Sequence, residues 1–125
     1  MPATRSFPYP FVLEALNPIQ ATTRPMFGCL AVYVGNRIVL ALRDKPGVTT
    51  DNGVWLATSE EHHESLRADF PNMRTITIFG KPVSAWQILA ADTPDFEEAA
   101  IRACELIIAR DPRIGKVPKK KRSRA

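Results

Sequence analysis

The chain has 125 residues, of which 45% are hydrophobic and 24% are charged, and its formal net charge at pH 7 is +4. This composition is typical of a single globular domain and excludes an intrinsically disordered or fibrous chain. No apolar run is long enough for a transmembrane helix, and three prolines interrupt the first ten residues, where a signal peptide needs a continuous apolar segment. We therefore expect a cytoplasmic protein.

The charge is divided unevenly along the chain. Residues 113–125 contain seven Lys or Arg and no acid, whereas residues 1–112 contain all 13 acids and have a net charge of −3. A segment so rich in cations does not collapse into a core. We predict a flexible N-terminus (1–9), a folded domain (10–112) and a disordered basic tail (113–125).

The basic tail is the clearest functional signal in the sequence. Clustered cations attract polyanions by releasing counterions, so the affinity falls steeply with salt. The tail has no aromatic residue, so base stacking is not expected. The residues predicted to bind nucleic acid are Lys116, Lys119, Lys120, Lys121, Arg122 and Arg124. The alternative is a tail that only keeps the protein in solution.

The first half of the domain predicts a short helix followed by a β-hairpin. Residues 10–18 begin with a proline suited to a first helical turn and end at Asn17-Pro18. Residues 19–28 are extended, and Pro25 restricts them to a sheet edge or a broken strand. The apolar runs "CLAVYV" and "RIVLALR" are separated by Gly35-Asn36, which is a strong hairpin signal.

The turn also predicts the register of the hairpin. Val34 should lie opposite Arg37 and Tyr33 opposite Ile38, followed by the pairs Val32–Val39, Ala31–Leu40 and Leu30–Ala41. One face would then carry Leu30, Val32, Val34, Val39 and Ala41, and the other Ala31, Tyr33, Ile38, Leu40 and Leu42. Both faces are apolar, so both must be covered. We expect helices on one face and a second copy of the chain, or a protein partner, on the other.

The second half predicts two further helices separated by strands. Thr58 and Glu61 have the spacing of a capping box for a helix over 59–69. Strands are predicted within "VWLAT", "RTITIFG" and "KPVSAWQIL". Thr93 is the expected cap of the last helix, with Pro94 at its first position. Its apolar face comprises Phe96, Ala100, Ala103 and Ile107, widened by Ala99, Cys104 and Ile108.

Residues that could carry chemistry form no reactive constellation. Cys29 and Cys104 have neither a zinc nor a redox spacing, and we interpret both as small buried residues. His62 and His63 point about 100° apart on a helix and cannot share one ion. Trp55 and Trp86 are interpreted as core residues, and Arg24 as a surface or structural partner. No catalytic, metal or cofactor site is predicted.

The stretch from residue 16 to 42 resembles the N-terminal domain of the TfoX family, the competence-regulator-like proteins. A short helix is followed by an Arg-x-Met-Phe-Gly run and an apolar hairpin, with matches at Arg24, Met26, Phe27, Gly28, Tyr33 and Leu42. The resemblance covers roughly residues 10–111. It implies an α+β fold with an antiparallel sheet of five or six strands and helices packed on one face, in a secretion-chaperone-like α-β(3)-α-β(2)-α order. It implies no catalytic residue and no cofactor.

Three functions remain open from the sequence. The first is a non-enzymatic regulatory or protein-interaction module, acting as a homodimer or with a protein partner on the hairpin face. The second is a nucleic-acid-associated protein that binds through residues 113–125. The third, which the sequence supports least, is an enzyme with a small-molecule pocket near Arg24 and Trp55.

Overall fold

A computed structural model describes residues 7–26, 28–78, 80 and 83–117. Its elements in chain order are α1 (Pro10–Ala15), β1 (Thr22–Met26), β2 (Cys29–Val34), β3 (Arg37–Arg43), β4 (Gly53–Ala57), α2 (His63–Asp69), β5 (Arg74–Thr75), β6 (Trp86–Ala90) and α3 (Phe96–Ile108), with 3₁₀ turns at Asn17–Ile19 and Glu60–His62. The strands form one antiparallel sheet in the order β1-β2-β3-β4-β6-β5. The predicted α+β fold with a six-stranded antiparallel sheet is confirmed, and four strands rather than three precede α2.

The helices begin and end close to the predicted positions, but two predicted caps are wrong. The Thr58 hydroxyl donates to the carbonyl of Arg113 at 2.8 Å and does not cap α2. The Thr93 hydroxyl donates to the carbonyl of Ala90 at 2.8 Å, and α3 begins at Phe96. Both hydroxyls are used in tertiary or turn contacts, which compete with capping for the same short side chains.

The hairpin of β2 and β3 departs from the predicted register after two pairs. Val34 lies opposite Arg37 and Tyr33 opposite Ile38, as predicted. The register then shifts, because Val39 is an extra residue that forms a β-bulge, and Val32 lies opposite Leu40. The predicted faces of β3 beyond the bulge are therefore wrong: Leu40 and Leu42 lie on the helix side of the sheet, and Ala41 lies on the other side.

The larger core lies between the sheet and all three helices. The sheet contributes Val32, Leu40, Leu42, Val54, Leu56 and Leu89, and the helices contribute Val12 and Leu16 from α1, Leu66 from α2, and Phe96, Ala100, Ala103, Cys104 and Ile107 from α3. Each of these side chains is at least nine-tenths buried. This packing confirms that the helices cover one face of the sheet and that Phe96, Ala100, Ala103 and Ile107 of α3 face inward, whereas Ile108, which was predicted to widen this face, is exposed.

The second face of the sheet is covered by residues of the same chain. Small side chains on three adjacent strands, Ala31, Ala41 and Ala57, are no more than 1% exposed. They pack beneath larger side chains, including Met26, Trp55, Ile76 and Trp86. Trp55 and Trp86 meet edge to face with ring centroids 5.8 Å apart, so the interpretation of both as packing residues is confirmed. The hairpin therefore needs no second copy or protein partner to cover this face.

The buried carboxylate of Asp51 holds residues 74–78 in place, and Ile76 of this segment helps to cover the second face of the sheet. Asp51 is fully buried and accepts hydrogen bonds from the N–H groups of Thr77 and Ile78 at 2.7 and 2.6 Å, and from Arg74 at 3.0 Å. The segment "RTITIFG" was predicted to be a strand, but only Arg74–Thr75 is paired in the sheet. The N–H groups of Thr77 and Ile78 donate to the Asp51 carboxylate instead of to a neighbouring strand. Their hydrogen-bonding capacity is therefore still satisfied.

Both ends of the folded domain extend beyond the predicted limits. Tyr9 lies within the region predicted to be a flexible N-terminus, yet its hydroxyl donates to the carbonyl of Arg43 at 2.9 Å and its ring packs on Phe96. Ile114 lies in the predicted tail, yet it is 2% exposed. The Lys116 N–H and C=O both bond to the main chain of Ile38. The folded domain therefore continues to residue 116, because these side chains find partners on distant elements.

Candidate anion-binding cleft

A cleft of about 390 Å³ lies where the β2–β3 turn meets the C-terminal end of α3 and the segment that follows it. Its lining residues are Val34, Arg37, Val39, Ile107, Arg110, Asp111, Pro112 and Ile114. Val39, Ile107 and Ile114 are buried apolar side chains, and two arginines lie beside them. An apolar surface next to two cations is suited to binding rather than to acid–base chemistry.

Arg37 is held in the cleft by the returning C-terminal segment. Its Nη2 donates to the carbonyls of Ile114 and Gly115 at 3.2 and 3.0 Å. Gly115 has φ of +116°, and a Cβ there would lie 2.7 Å from Nη2 of Arg37. Glycine is therefore needed both for the backbone conformation and for the close approach of the guanidinium. Two main-chain carbonyls and the close approach to Gly115 therefore orient Arg37, and no ion pair with an acid is involved among the described residues.

Arg110 has the left-handed conformation that ends α3. Its φ is +64°, its N–H donates to the carbonyl of Ile107 at 2.9 Å, and the N–H of Asp111 donates to that of Leu106 at 2.9 Å. This is the Schellman arrangement, in which glycine is the usual residue at the left-handed position. An arginine here carries a backbone cost that glycine would not. Its side chain is exposed and makes no ion pair with any described residue.

The acid that lines the cleft is already neutralised. Nη2 of Arg113 lies 2.8 Å from Asp111 and 2.9 Å from Asp69, and Nε of Arg113 donates to Asp111 at 3.0 Å. The hydrogen bond from Arg113 is the main reason that the pKa of Asp111 lies below its ordinary value. The same pair raises the pKa of Arg113. Arg37 and Arg110 are therefore the uncompensated charges of the cleft.

Of the residues predicted to bind nucleic acid, only Lys116 lies in the described part of the chain. Its main chain is paired with Ile38, and its side chain is exposed. This pairing places the last described residue, Val117, close to Arg37. The remaining residues, Lys119, Lys120, Lys121, Arg122 and Arg124, lie outside the described residues. Arg113 is occupied by its two aspartates and does not act as a free tail cation.

The other candidates from the sequence have local structural partners. His62 contacts Glu61 at 3.3 Å, and Nε2 of His63 lies 2.8 Å from the carbonyl of Ser84. The described residues contain no group of three His, Cys, Asp or Glu that could hold a metal ion. The guanidinium of Arg24 lies over the ring of Tyr33, 5.2 Å from its centroid.

Neither cysteine nor Trp55 offers a reactive or accessible surface. Burial raises the pKa of the Cys29 thiol, although Arg43 and Lys45 oppose this, and burial raises the pKa of Cys104 to about 12. A thiol with a raised pKa is a poor nucleophile. Trp55 is 1% exposed, and its indole N–H donates to the carbonyl of Asp51 at 2.9 Å. Trp55 therefore does not line a small-molecule pocket next to Arg24.

Sequence reasoning did not find Arg37 and Arg110. Arg37 follows a hairpin turn and Arg110 precedes the Asp111-Pro112 helix end, and neither forms part of a motif. A signal for Arg110 was present, since a helix end with Leu106 and Ile107 before it and no following glycine forces some other residue into the left-handed position. Their proximity depends on the path of residues 111–117, which no local pattern predicts.

Comparisons with protein-family models, with curated proteins and with solved structures found no match. In the part of the chain that the structure describes, no helix is both long enough and apolar enough to cross a membrane.

Proposed function

We propose that this protein is a non-enzymatic interaction module that binds nucleic acid through its basic end. The basic end comprises the folded cations Arg37, Arg110 and Lys116 together with the tail cations Lys119, Lys120, Lys121, Arg122 and Arg124. One observation supports it above the others. The main chain of Lys116 is bonded into the sheet next to Arg37, so the charged tail continues from a folded surface that is itself positive.

The physical basis is the release of counterions from phosphates. Each cation that meets a phosphate contributes to the slope of affinity against salt, whichever base is present. Arg37 is already fixed by its two carbonyl partners, so less conformational freedom is lost when it binds than with a tail lysine. Because Arg113 neutralises Asp111, this acid does not oppose an incoming phosphate.

The burial of the hairpin argues against the competing function of a protein partner on its second face. The demand for such a partner came from apolar side chains that needed a cover. Ala31 and Ala41 are fully buried and Ile38 is 8% exposed within a single chain, so this demand is met internally. Of the residues matched to the TfoX N-terminal domain, Leu42 is buried in the larger core, Met26 packs on the second face of the sheet, and Arg24 lies over Tyr33.

The perturbed titratable groups support a non-enzymatic role. The pKa of Tyr9 is raised to about 12 by burial, and its hydroxyl donates to the carbonyl of Arg43. Cys104 contacts the carbonyl of Val12, and Asp51 is surrounded by donors from its own chain. Active sites shift pKa values next to a cleft that substrate can enter. Tyr9, Cys104 and Asp51 are instead held in structural contacts, and Asp111, the perturbed acid that lines the cleft, is paired with Arg113.

The test is a binding measurement on the full chain and on a variant in which the five tail cations are changed to Gln. Fluorescence anisotropy with a labelled single-stranded oligonucleotide is recorded at about 50 mM and 200 mM salt. We expect binding by the wild type, with the slope of log affinity against log salt reduced by about 3.5 in the variant, since each charge contributes about 0.7 on a single strand.

The matched control is Arg67→Gln, which removes an exposed cation of α2 that is not one of the residues of the basic end. This control should bind as the wild type does. Equal affinity and equal salt slope in the wild type and the five-residue variant would refute the proposal, as would absence of binding at the lower salt concentration.

A further inference from the structure

The cleft next to the basic end has a feature that phosphate binding alone does not use, which is its apolar floor. The apolar surface open to the cleft is that of Val34, which is half-buried, and Pro112, which is exposed, and beneath them lie the buried side chains of Val39, Ile107 and Ile114. The β-bulge contributes to this floor, because it leaves both Val39 and the following Leu40 on the helix side of the sheet. The volume of about 390 Å³ lies within the range of small-molecule sites.

The rim of the cleft carries charge without a counterion. Neither Arg37 nor Arg110 forms an ion pair with a described acid, and Asp111 is held by Arg113. Among the described residues, Arg37 donates to main-chain carbonyls only through Nη2. Within this part of the chain, its other guanidinium N–H groups can donate to a ligand. The chain also keeps an arginine at position 110, although the left-handed backbone there favours glycine.

The negative end of the α3 dipole is the main contribution that opposes an anion here. The last carbonyls of the helix accept hydrogen bonds from the N–H groups of Ala109, Arg110 and Asp111, so they are not left open towards the cleft. The dipole end is equivalent to about half an elementary charge. Two full guanidinium charges therefore outweigh it.

We propose that the cleft binds a small organic anion, with a carboxylate or phosphate group on Arg37 and Arg110 and an apolar body of a few carbons against Val34 and Pro112, above the buried floor. An inorganic anion would leave the apolar surface of Val34 and Pro112 in contact with water. A neutral apolar ligand would cover the guanidinium groups without giving them an acceptor, which is unfavourable. Only a ligand with both parts satisfies the whole cleft. This inference goes beyond the proposed function and does not depend on the tail.

The experiment is a titration of the full chain with octanoate, 1-octanol and inorganic phosphate, followed by calorimetry and by the NMR signals of the methyl groups. Octanoate should saturate a single site and shift the methyl signals of Val34, Val39, Ile107 and Ile114. 1-Octanol has the apolar body without the charge, and phosphate has the charge without the body. Each should bind at least roughly tenfold more weakly than octanoate.

The decisive variant is Arg110→Gly, because it removes the charge while relaxing the backbone. We expect octanoate to bind roughly tenfold more weakly or worse, with the melting temperature unchanged or higher since glycine is favoured at this position. Arg67→Gly is the matched control and should leave octanoate binding unchanged. Val34→Phe retains every charge but fills the cleft, and it should also abolish binding.

Three results would overturn the proposal: no saturable binding of octanoate, equal affinity in the wild type and Arg110→Gly, or methyl shifts confined to residues outside the cleft. The variant with five tail cations changed to Gln separates this site from the proposed function. Octanoate should bind to it as to the wild type, whether or not nucleic acid does, and loss of octanoate binding in that variant would contradict the assignment to the cleft.

Discussion

Lys116 and Ile38 exchange two main-chain hydrogen bonds of 2.9 Å each, although 78 positions separate them in the sequence. The pair extends the sheet at the start of β3, past the point where the pairing of β3 with β4 ends at Leu40 and Leu56. The segment leading to it is also anchored, since the N–H of Gly115 donates to the carbonyl of Ala57 at 2.7 Å. The beginning of the basic segment is thus part of the fold.

A truncation series tests this boundary. Ending the chain after Val117 should leave the free energy of unfolding unchanged, because all the contacts described above are retained. Ending it after Pro112 should lower the free energy of unfolding by about 3 kcal/mol or more, since it removes buried Ile114 and the ion pairs of Arg113. Urea unfolding measures both. Equal midpoints for the two truncations would contradict the packing of residues 113–116.

Substitution of Gly115 tests the close contact with Arg37. Gly115→Ala should lower the free energy of unfolding by about 2 kcal/mol, because φ is +116° and the new Cβ displaces the guanidinium. Gly47→Ala is the matched control, since φ is +85° but no atom lies within 4 Å of its Cβ. Thermal unfolding of both variants should show the larger loss at Gly115. A larger loss at Gly47 would mean that the Arg37 contact is unimportant.

The Asp51 cluster predicts how stability depends on pH. Burial alone would raise the pKa of Asp51, but hydrogen bonds from Arg74, Thr77 and Ile78 outweigh it and hold the pKa below its ordinary value. A group with a lowered folded-state pKa stabilises the protein above its unfolded-state value, about 3.9 for Asp, and this contribution disappears as the pH falls through the folded-state value. Acid should therefore destabilise the protein below about pH 4.

Asp51→Asn tests this assignment. The variant should lose about 2 kcal/mol at neutral pH, because both N–H groups bond to Oδ2 and Arg74 bonds to Oδ1: an amide that keeps its oxygen towards the N–H groups turns its NH₂ towards the Arg74 guanidinium, which loses its charged partner. The difference from the wild type should shrink in acid, measured as urea midpoints at about pH 7 and pH 3. The Asp111–Arg113 pair remains in the variant and keeps part of the acid sensitivity. A difference that stayed constant with pH would show that Asp51 is not ionised in the fold.

Gln87 predicts a substitution that does not destabilise the core. It is fully buried, and its Nε2 donates to Oγ1 of Thr75 at 3.0 Å and to the carbonyl of Trp86 at 3.2 Å, but its Oε1 has no hydrogen-bond partner among the described residues. A buried acceptor without a donor costs about 1–3 kcal/mol, and each of the two bonds from Nε2 returns about 1. We expect Gln87→Met to change the free energy of unfolding by less than about 1 kcal/mol.

The control for Gln87 is its neighbour Ile88, which is equally buried. Ile88→Met keeps the volume and should cost less than about 1.5 kcal/mol. Guanidinium unfolding of the two variants compares them directly. If Gln87→Met were the more damaging of the two, the carboxamide would have a stabilising role that its contacts do not explain.

The sequence by itself determined the elements and the apolar character of the hairpin. The Gly35-Asn36 turn predicted the first two pairs correctly, because turn geometry acts over only a few residues. The stripe of α3 predicted its inward face, since helical periodicity does not depend on what the helix packs against. The requirement that both hairpin faces be covered followed from composition alone and is confirmed by their burial.

Tertiary structure decided what covers those faces and where the cleft lies. The bulge at Val39 reverses the faces of the rest of β3, and a single extra residue leaves no local signal. Asp51 binds the N–H group of Thr77, 26 positions away, and Lys116 joins the sheet although it lies in the basic C-terminal segment. The charge density of residues 113–125 predicted a solvated tail. The burial of Ile114 and the ion pairs of Arg113 with Asp69 and Asp111 instead hold the beginning of this segment on the folded domain. Arg37 and Arg110 line the same cleft because residues 111–117 return to the start of β3. The path of this segment depends on long-range contacts, which no local sequence pattern contains.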